Sequence, residues 1–215
     1  MAPPRTSDRT PPPRLYLTTP PAGDGEAVAM RLAPALEAAD IAAVLLHLSQ
    51  APHDERAAIN TVKRVATVVQ RADAALVLDG WPGIVARAGA DGAHLHGIDA
   101  LIAALPALRP DRIAGAGGLP SRHKAMLAGE AGADYVMFGE PDIEEGRPSL
   151  DAIADRVAWW SEVFEIPCVG FAQALGDVEV LVRAGADFIA LGGFIWEDPN
   201  ATAEIVRSAG RMCVR

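Results

Sequence analysis

The 215-residue sequence predicts an α/β protein, a single TIM (β/α)8 barrel of eight parallel strands alternating with helices. Three observations predict it. A phrase, Ala-Gly-Ala-Asp, recurs at residues 88–91, 131–134 and 184–187, with a fainter copy at Ala38-Ala39-Asp40. Each copy closes an amphipathic segment and opens a short apolar run. Glycine enters the left-handed region without strain and so ends a helix, and the Asp then turns the chain into a strand. The aspartates are 51, 43 and 53 residues apart, about twice the roughly 20 to 30 residues of one strand plus one helix, so an unmarked strand lies inside each interval. Second, the strands are nearly continuous apolar runs, as expected when both faces are covered by protein. Third, the phrase precedes only the even strands, and side-chain layers inside a barrel come alternately from odd and even strands. A doubly wound open sheet is the competing arrangement.

Arg14 to Thr19 forms the first strand, closed by Pro20-Pro21 and Gly23. Glu26 to Ala39 places Val28, Leu32, Ala35 and Leu36 on one helical face, and strand two is Ile41 to Ser49. His53 to Asp73 carries Ile59, Val62, Val65 and Val69 at helical spacing, before strand three at Ala74 to Gly80. Pro82 to Ala88 is a short helix and Gly92 to Gly97 is strand four. Asp99 is expected to cap the helix that runs to Leu108, and Arg112 to Gly118 is strand five. Pro120-Ser121 starts a helix that reaches the phrase before strand six, Tyr135 to Glu140. Ser149 to Phe164 is a long helix and Ile166 to Ala172 is strand seven. Gly176 to Ala184 is helical, strand eight is Phe188 to Gly193, and a last helix covers Asn200 to Arg211.

Residues 14–215 read as one domain. Residues 1–13 hold five prolines and no large aliphatic beyond Met1, too little apolar surface to offset ordering entropy, so a disordered tail is expected. A net charge of −9 with no basic cluster argues against a nucleic-acid partner or an anionic membrane. No apolar run approaches the roughly 18 residues of a membrane span, and Cys168 and Cys213 match neither a disulfide framework nor a metal motif. A cytoplasmic protein with reduced thiols is expected.

Active sites of such barrels lie at the C-terminal ends of the strands. There the chain places Gly117-Gly118 and Gly192-Gly193, whose backbone N–H groups are open to an anion, although glycines also simply turn a chain. His94 and His96 alternate on one strand, with His47, Asp79, Asp99 and Glu140 at neighbouring strand ends. That set reads either as a metal site or as an acid–base cluster, and its members also have ordinary structural uses. Trp81 and Trp196 follow strands three and eight and could offer stacking faces to a flat ligand, although simple packing against loops is the preferred account of each taken singly. Trp159 and Trp160 point about 100° apart on one helix; one is poorly placed for the core, which predicts a subunit contact and a homo-oligomer.

RLYLTTP at strand one, AGADGAHLHGID at strand four, AGADYVMFGEP at strand six, and IPCVGF with RAGADFIALGGFI at strands seven and eight resemble the thiamine phosphate synthase family, which includes the thiazole tautomerases. The resemblance spans almost everything from Arg14 to Trp196. It implies a transferase of thiamine biosynthesis that joins an aminopyrimidine diphosphate to a thiazole phosphate, with Mg²⁺, by a dissociative route. A phosphorylated small molecule is thus the implied ligand.

The family's functional positions carry over unevenly. The Gln, Arg and Lys that grip diphosphate on strand two fall on Leu45, His47 and Ser49. Of two Mg²⁺-binding aspartates, one matches Asp99, and the other falls on Asp79 or, in gap-free alignment, on Gly80. The strand-five Ser is replaced by Ala116 or a neighbouring Gly. The phosphate-binding Lys after strand six is missing, with Arg147 the nearest cation, and Gly118 occupies the area of the tautomerase's active-site His. Substrate binding is therefore assigned to His47, Asp79, His96, Gly117, Gly118, Glu140, Gly192 and Gly193, and metal binding to Asp79 and Asp99. With so many diphosphate contacts changed, two other functions compete: an isomerase or hydrolase using His47, Asp79, His96 and Asp99, and a non-catalytic ligand-binding regulator.

Overall fold

A computed structural model describes residues 11–49, 54–141 and 146–214. Its strands are β1 (Arg14–Thr18), β2 (Ile41–Leu46), β3 (Ala75–Asp79), β4 (Gly92–His96), β5 (Ile113–Gly117), β6 (Tyr135–Phe138), β7 (Cys168–Ala172) and β8 (Phe188–Leu191). All pair in parallel with their sequence neighbours, and β8 returns to β1, closing the barrel. The open sheet is thereby excluded. The helices are α1 (Gly25–Leu36), α2 (Glu55–Arg71), α3 (Val85–Ala88), α4 (Ile98–Leu108), α5 (Arg122–Ala131), α6 (Leu150–Val163), α7 (Leu175–Arg183) and α8 (Thr202–Cys213). Residues 1–10 of the expected tail and His53 lie outside the described residues. No described helix is long and apolar enough to cross a membrane.

The repeated phrase works at the lower rim. Gly89, Gly132 and Gly185 have φ of 76°, 103° and 89°, the left-handed conformation that stops each helix. The Asp that follows clamps the start of the preceding odd strand. Its carboxylate accepts the N–H of Leu76, Ala114 or Cys168 at 2.7, 2.7 and 2.8 Å. Its own N–H donates to the carbonyl of the same residue at 2.8, 2.9 and 3.0 Å. These side chains stand where the open edge of a strand would otherwise leave a donor unpaired. The fourth copy departs from this: Asp40 accepts two hydrogen bonds from the Arg14 guanidinium, at 2.8 and 2.9 Å.

The larger core lies between the strands and the helices, where Leu17, Leu46, Leu76, Leu78, Ile189 and Leu191 meet the apolar helix faces. A smaller set faces the barrel axis: Tyr16, Leu45, Val77, Tyr135, Met137, Val169, Phe171 and Ala190. Strand β5 contributes almost nothing to that interior, because a Cβ at Gly115 would collide with the Tyr135 ring.

Several boundaries differ from expectation. Gly97, with φ 84° and ψ 162°, takes the cap position of α4, and Asp99 sits within the first turn instead. A positive φ there suits glycine and closes the strand one residue earlier than an Asp cap requires. Strand β8 ends at Leu191, because Gly193–Trp196 winds into a 3₁₀ turn. That turn carries Trp196 into the core, where its ring N–H donates to the Thr18 carbonyl at 2.6 Å under the Arg31 guanidinium. It is a structural residue rather than a stacking face. Trp160 is fully buried and donates to the Ile166 carbonyl at 2.7 Å, while Trp159 is half-buried beneath Arg122.

Asp187→Ala removes the clamp and leaves the Cys168 N–H unpaired, at a cost of about 1–3 kcal/mol in urea unfolding. Asp40→Ala removes only an exposed ion pair and costs less than about 1 kcal/mol in the same experiment.

Candidate functional site

Inward positions on a strand recur every second residue, so His94 and His96 of β4 project into the upper barrel together, with ring centroids 5.2 Å apart. Register places Asp79 beside His94 across the β3–β4 pair. Asp79 accepts from His96 Nε2 at 2.7 Å, and His47 Nε2 lies 3.6 Å from its second oxygen. The main chain of His47 is held by Thr19 Oγ1 at 3.1 Å, and His47 Nδ1 is buried with no hydrogen-bond partner.

Below this rim His94 is completely buried. Its Nε2 lies 2.9 Å from Glu140 Oε1 and its Nδ1 lies 2.8 Å from the Tyr135 hydroxyl, which is 3.0 Å from the Tyr16 hydroxyl. Glu140 Oε2 accepts the Gly118 N–H at 3.3 Å. Strand β5 makes room for this contact, since a Cβ at Gly117 would collide with both the Glu140 carboxylate and His94 Nε2.

The proton order in this chain follows from its ends. Burial pushes both tyrosine hydroxyls above their usual range, so each keeps its proton. Tyr16 has Tyr135 as its partner and donates to it; Tyr135 then donates to His94 Nδ1. The remaining imidazole proton sits on Nε2 and points at Glu140. Burial would raise the Glu140 carboxyl, but its contact with His94, together with His96 and the Gly118 N–H, holds it below its usual value. Asp79 behaves alike: burial opposes ionisation, and His96 and His47 overcome it. Burial lowers His47 in spite of Asp79, so it is largely neutral at pH 7. The mouth therefore combines two carboxylates with three imidazoles.

His47, Asp79, His96 and Glu140 thus converge as expected around His94. Gly117 and Gly118 belong to the same place, one as space and the other as a donor already engaged by Glu140. Gly192 and Gly193 lie at β8; the Gly192 N–H pairs with the Ala172 carbonyl at 2.9 Å, and Gly193 is exposed with open space around it. Asp99 is exposed on α4, outside the hydrogen-bonded cluster. Arg147 is engaged by the Gly139 and Phe171 carbonyls and by Asp177, at 2.7 to 3.1 Å. Beside Glu140 a cavity of about 260 Å³ opens between Gly118, Pro120, Arg147 and Arg156. Sequence reasoning missed Tyr16 and Tyr135. A signal was present, because the chain has only two tyrosines and both lie at inward positions of apolar strands.

Among the described residues, His94, His96 and Glu140 form a group able to hold a metal ion, with ligand atoms within 4.8 Å of one another. The donors do not fit Mg²⁺, which takes oxygen ligands. Asp79 already meets two imidazoles, and Asp99 stands apart on α4.

The thiamine monophosphate synthase family model matches residues 15–195. The thiamine-phosphate synthase of Rhodospirillum centenum is 41% identical over 212 residues, covering 93% of this chain and 97% of that protein. The synthase of Hyphomonas neptunium is 35% identical, covering 94% and 95%. Among solved structures, the thiamine phosphate pyrophosphorylase of Pyrococcus furiosus superposes with a TM-score of 0.75 at 21% identity, covering 94% of this chain and 95% of that one. At that identity the likeness establishes the fold.

Glu140→Gln lowers stability near neutral pH. An ionised Glu140 stabilises the fold above its unfolded value near 4.5 and loses that contribution as pH falls through its lower folded value. The gap between wild type and variant in urea unfolding should therefore close as pH drops below 4.5. Gly117→Ala, which forces Glu140 and His94 apart, should cost about 1–3 kcal/mol.

Proposed function

The chain belongs to the thiamine monophosphate synthase family, and we propose that it catalyses the joining step of thiamine biosynthesis at the mouth that holds His47, Asp79, His96 and Glu140. The observation that carries this reading is 41% identity to a thiamine-phosphate synthase over nearly the full length of both chains. In the reaction the bond between the pyrimidine methylene carbon and the diphosphate oxygen breaks, diphosphate leaves, and the thiazole nitrogen forms the new carbon–nitrogen bond. The exposed Gly193 turn is assigned to the thiazole phosphate through its backbone, and the cavity beside Glu140 to the rings of the substrates. Trp159, half-buried on α6, is assigned to a contact between copies of the chain. The Mg²⁺ implied by the family would rely on Asp79 and Asp99, and the pairing of Asp79 with imidazoles opposes it.

The handling of diphosphate sets this chain apart. Each charge-assisted contact contributes roughly 1.5–3 kcal/mol, and the strand-two cations of the family are replaced here by His47 with two uncharged neighbours, Leu45 and Ser49. A histidine gives such a contact only when protonated, and burial lowers the His47 pKa. A second reading follows from the same substitutions: a mouth of carboxylates and imidazoles suits acid–base chemistry on a less anionic substrate, with the His94–Glu140 pair as the proton-handling group.

Purified chain supplied with the aminopyrimidine diphosphate, the thiazole phosphate and Mg²⁺ is expected to yield thiamine phosphate, measured by chromatography. Because kcat/KM reports groups of the free enzyme, it should fall as pH rises through the lowered pKa of His47, below 6.5. His47→Arg should remove that dependence and lower KM for the diphosphate substrate roughly tenfold or more. No product at millimolar substrate, beside an active relative, rejects the synthase reading in favour of the second.

A further inference from the structure

The cluster that fits Mg²⁺ poorly has the composition expected for a different kind of ion. We propose that the barrel mouth binds one divalent ion of the zinc class, such as Zn²⁺ or Co²⁺, through His94 Nε2, one nitrogen of His96 and the Glu140 carboxylate. Four observations support this.

The first is the donor set. Two imidazoles and a carboxylate within 4.8 Å of one another match the nitrogen and oxygen ligands of borderline ions and leave coordination positions for water or substrate. His94 Nε2 and Glu140 Oε1 are already 2.9 Å apart, close to the separation of two ligands on one ion.

The second is the outer shell. Metal-binding imidazoles are held by a partner on their other face. The Tyr135 hydroxyl meets His94 Nδ1 at 2.8 Å, and Asp79 holds the His96 ring at 2.7 Å. When an ion replaces the proton on His94 Nε2, that ring donates from Nδ1 to the Tyr135 oxygen. Tyr135 then turns its O–H toward Tyr16, because either hydroxyl in that pair can be the donor. The Tyr16 hydroxyl gives up its acceptor in that arrangement, a cost that binding of the ion offsets.

The third is charge. Asp79 and Glu140 bring two carboxylates against the imidazoles of His96 and His94, at 2.7 and 2.9 Å, and His94 is fully buried. Buried charges are stable when paired or when they coordinate a metal, and a divalent ion supplies that partner.

The fourth is space. Gly117 keeps a side chain out of the point where His94 and Glu140 meet.

The test uses the full chain, stripped of metal by dialysis and titrated with Co²⁺, Zn²⁺ and Mg²⁺ without substrates. One equivalent of Co²⁺ should produce a saturable visible absorption spectrum, Zn²⁺ should displace it, and Mg²⁺ at the same concentration should not. His96→Ala, a change at the exposed rim, and Glu140→Gln should each weaken Co²⁺ binding by about 100-fold or more. His123→Ala, on the outer face of α5, should leave it unchanged. Since bound histidines must be deprotonated, affinity should fall in acid. The absence of a one-equivalent spectrum overturns the site, as does a spectrum that both His96→Ala and Glu140→Gln retain or displacement of Co²⁺ by equal Mg²⁺. None of these results bears on whether thiamine phosphate is made.

Discussion

The hydrogen bond between Glu140 and His94, buried across the top of the barrel, is the contact on which the rest of the mouth depends. It needs β6 to end beside β5, and it needs β5 to bring glycine rather than any side chain to that level. The alternation Ile113, Gly115, Gly117 along the inner face supplies this: Gly115 receives the Tyr135 ring and Gly117 receives the carboxylate and the imidazole. The outward alanines of the same strand, Ala114 and Ala116, are wholly buried under the helices. One short strand thereby divides its work between packing outward and vacancy inward. A polar chain in such surroundings is stable only if every member has a partner, since each one left unpaired costs about 1–3 kcal/mol. The run Glu140, His94, Tyr135, Tyr16 meets that condition with one order of protons.

The barrel was legible because its signals are local. Helix stops at Gly89, Gly132 and Gly185, each followed by an Asp, are read from adjacent residues, and they mark the even strands as the packing does. Apolar runs with no polar alternation likewise announce strands covered on both faces. What the sequence could not show depends on closure. Tyr16 and Tyr135 are 119 residues apart and meet only because the barrel brings β1 and β6 to the same axis. The pairing of His94 with Glu140 has the same origin. Trp196 packs, as its preferred account holds, but by a route the sequence does not show: strand eight ends sooner than its apolar run implies, and the 3₁₀ turn then swings the indole inward. Asp99 was displaced by one competing local preference, the positive φ that Gly97 adopts at the start of α4.

The family scaffold and the chemistry at its mouth are separable. The lower rim holds the three Asp clamps. At the upper rim imidazoles pair with carboxylates, and the Arg147 guanidinium is engaged by Asp177 and two carbonyls. Fold similarity cannot decide between an adapted synthase and another reaction on the same frame. The protonation states of the histidines do bear on that choice, because a neutral imidazole receives or relays a proton, whereas an imidazolium holds phosphate.

The most direct test of this arrangement is the tautomer of His94, read from the ring nitrogen shifts of ¹⁵N-histidine-labelled, metal-free protein at neutral pH, with His94 assigned by substitution. A proton on Nε2, with Nδ1 as a hydrogen-bond acceptor, is the result required by the order of protons from Tyr16 to Glu140. A ring protonated at Nδ1 would contradict it.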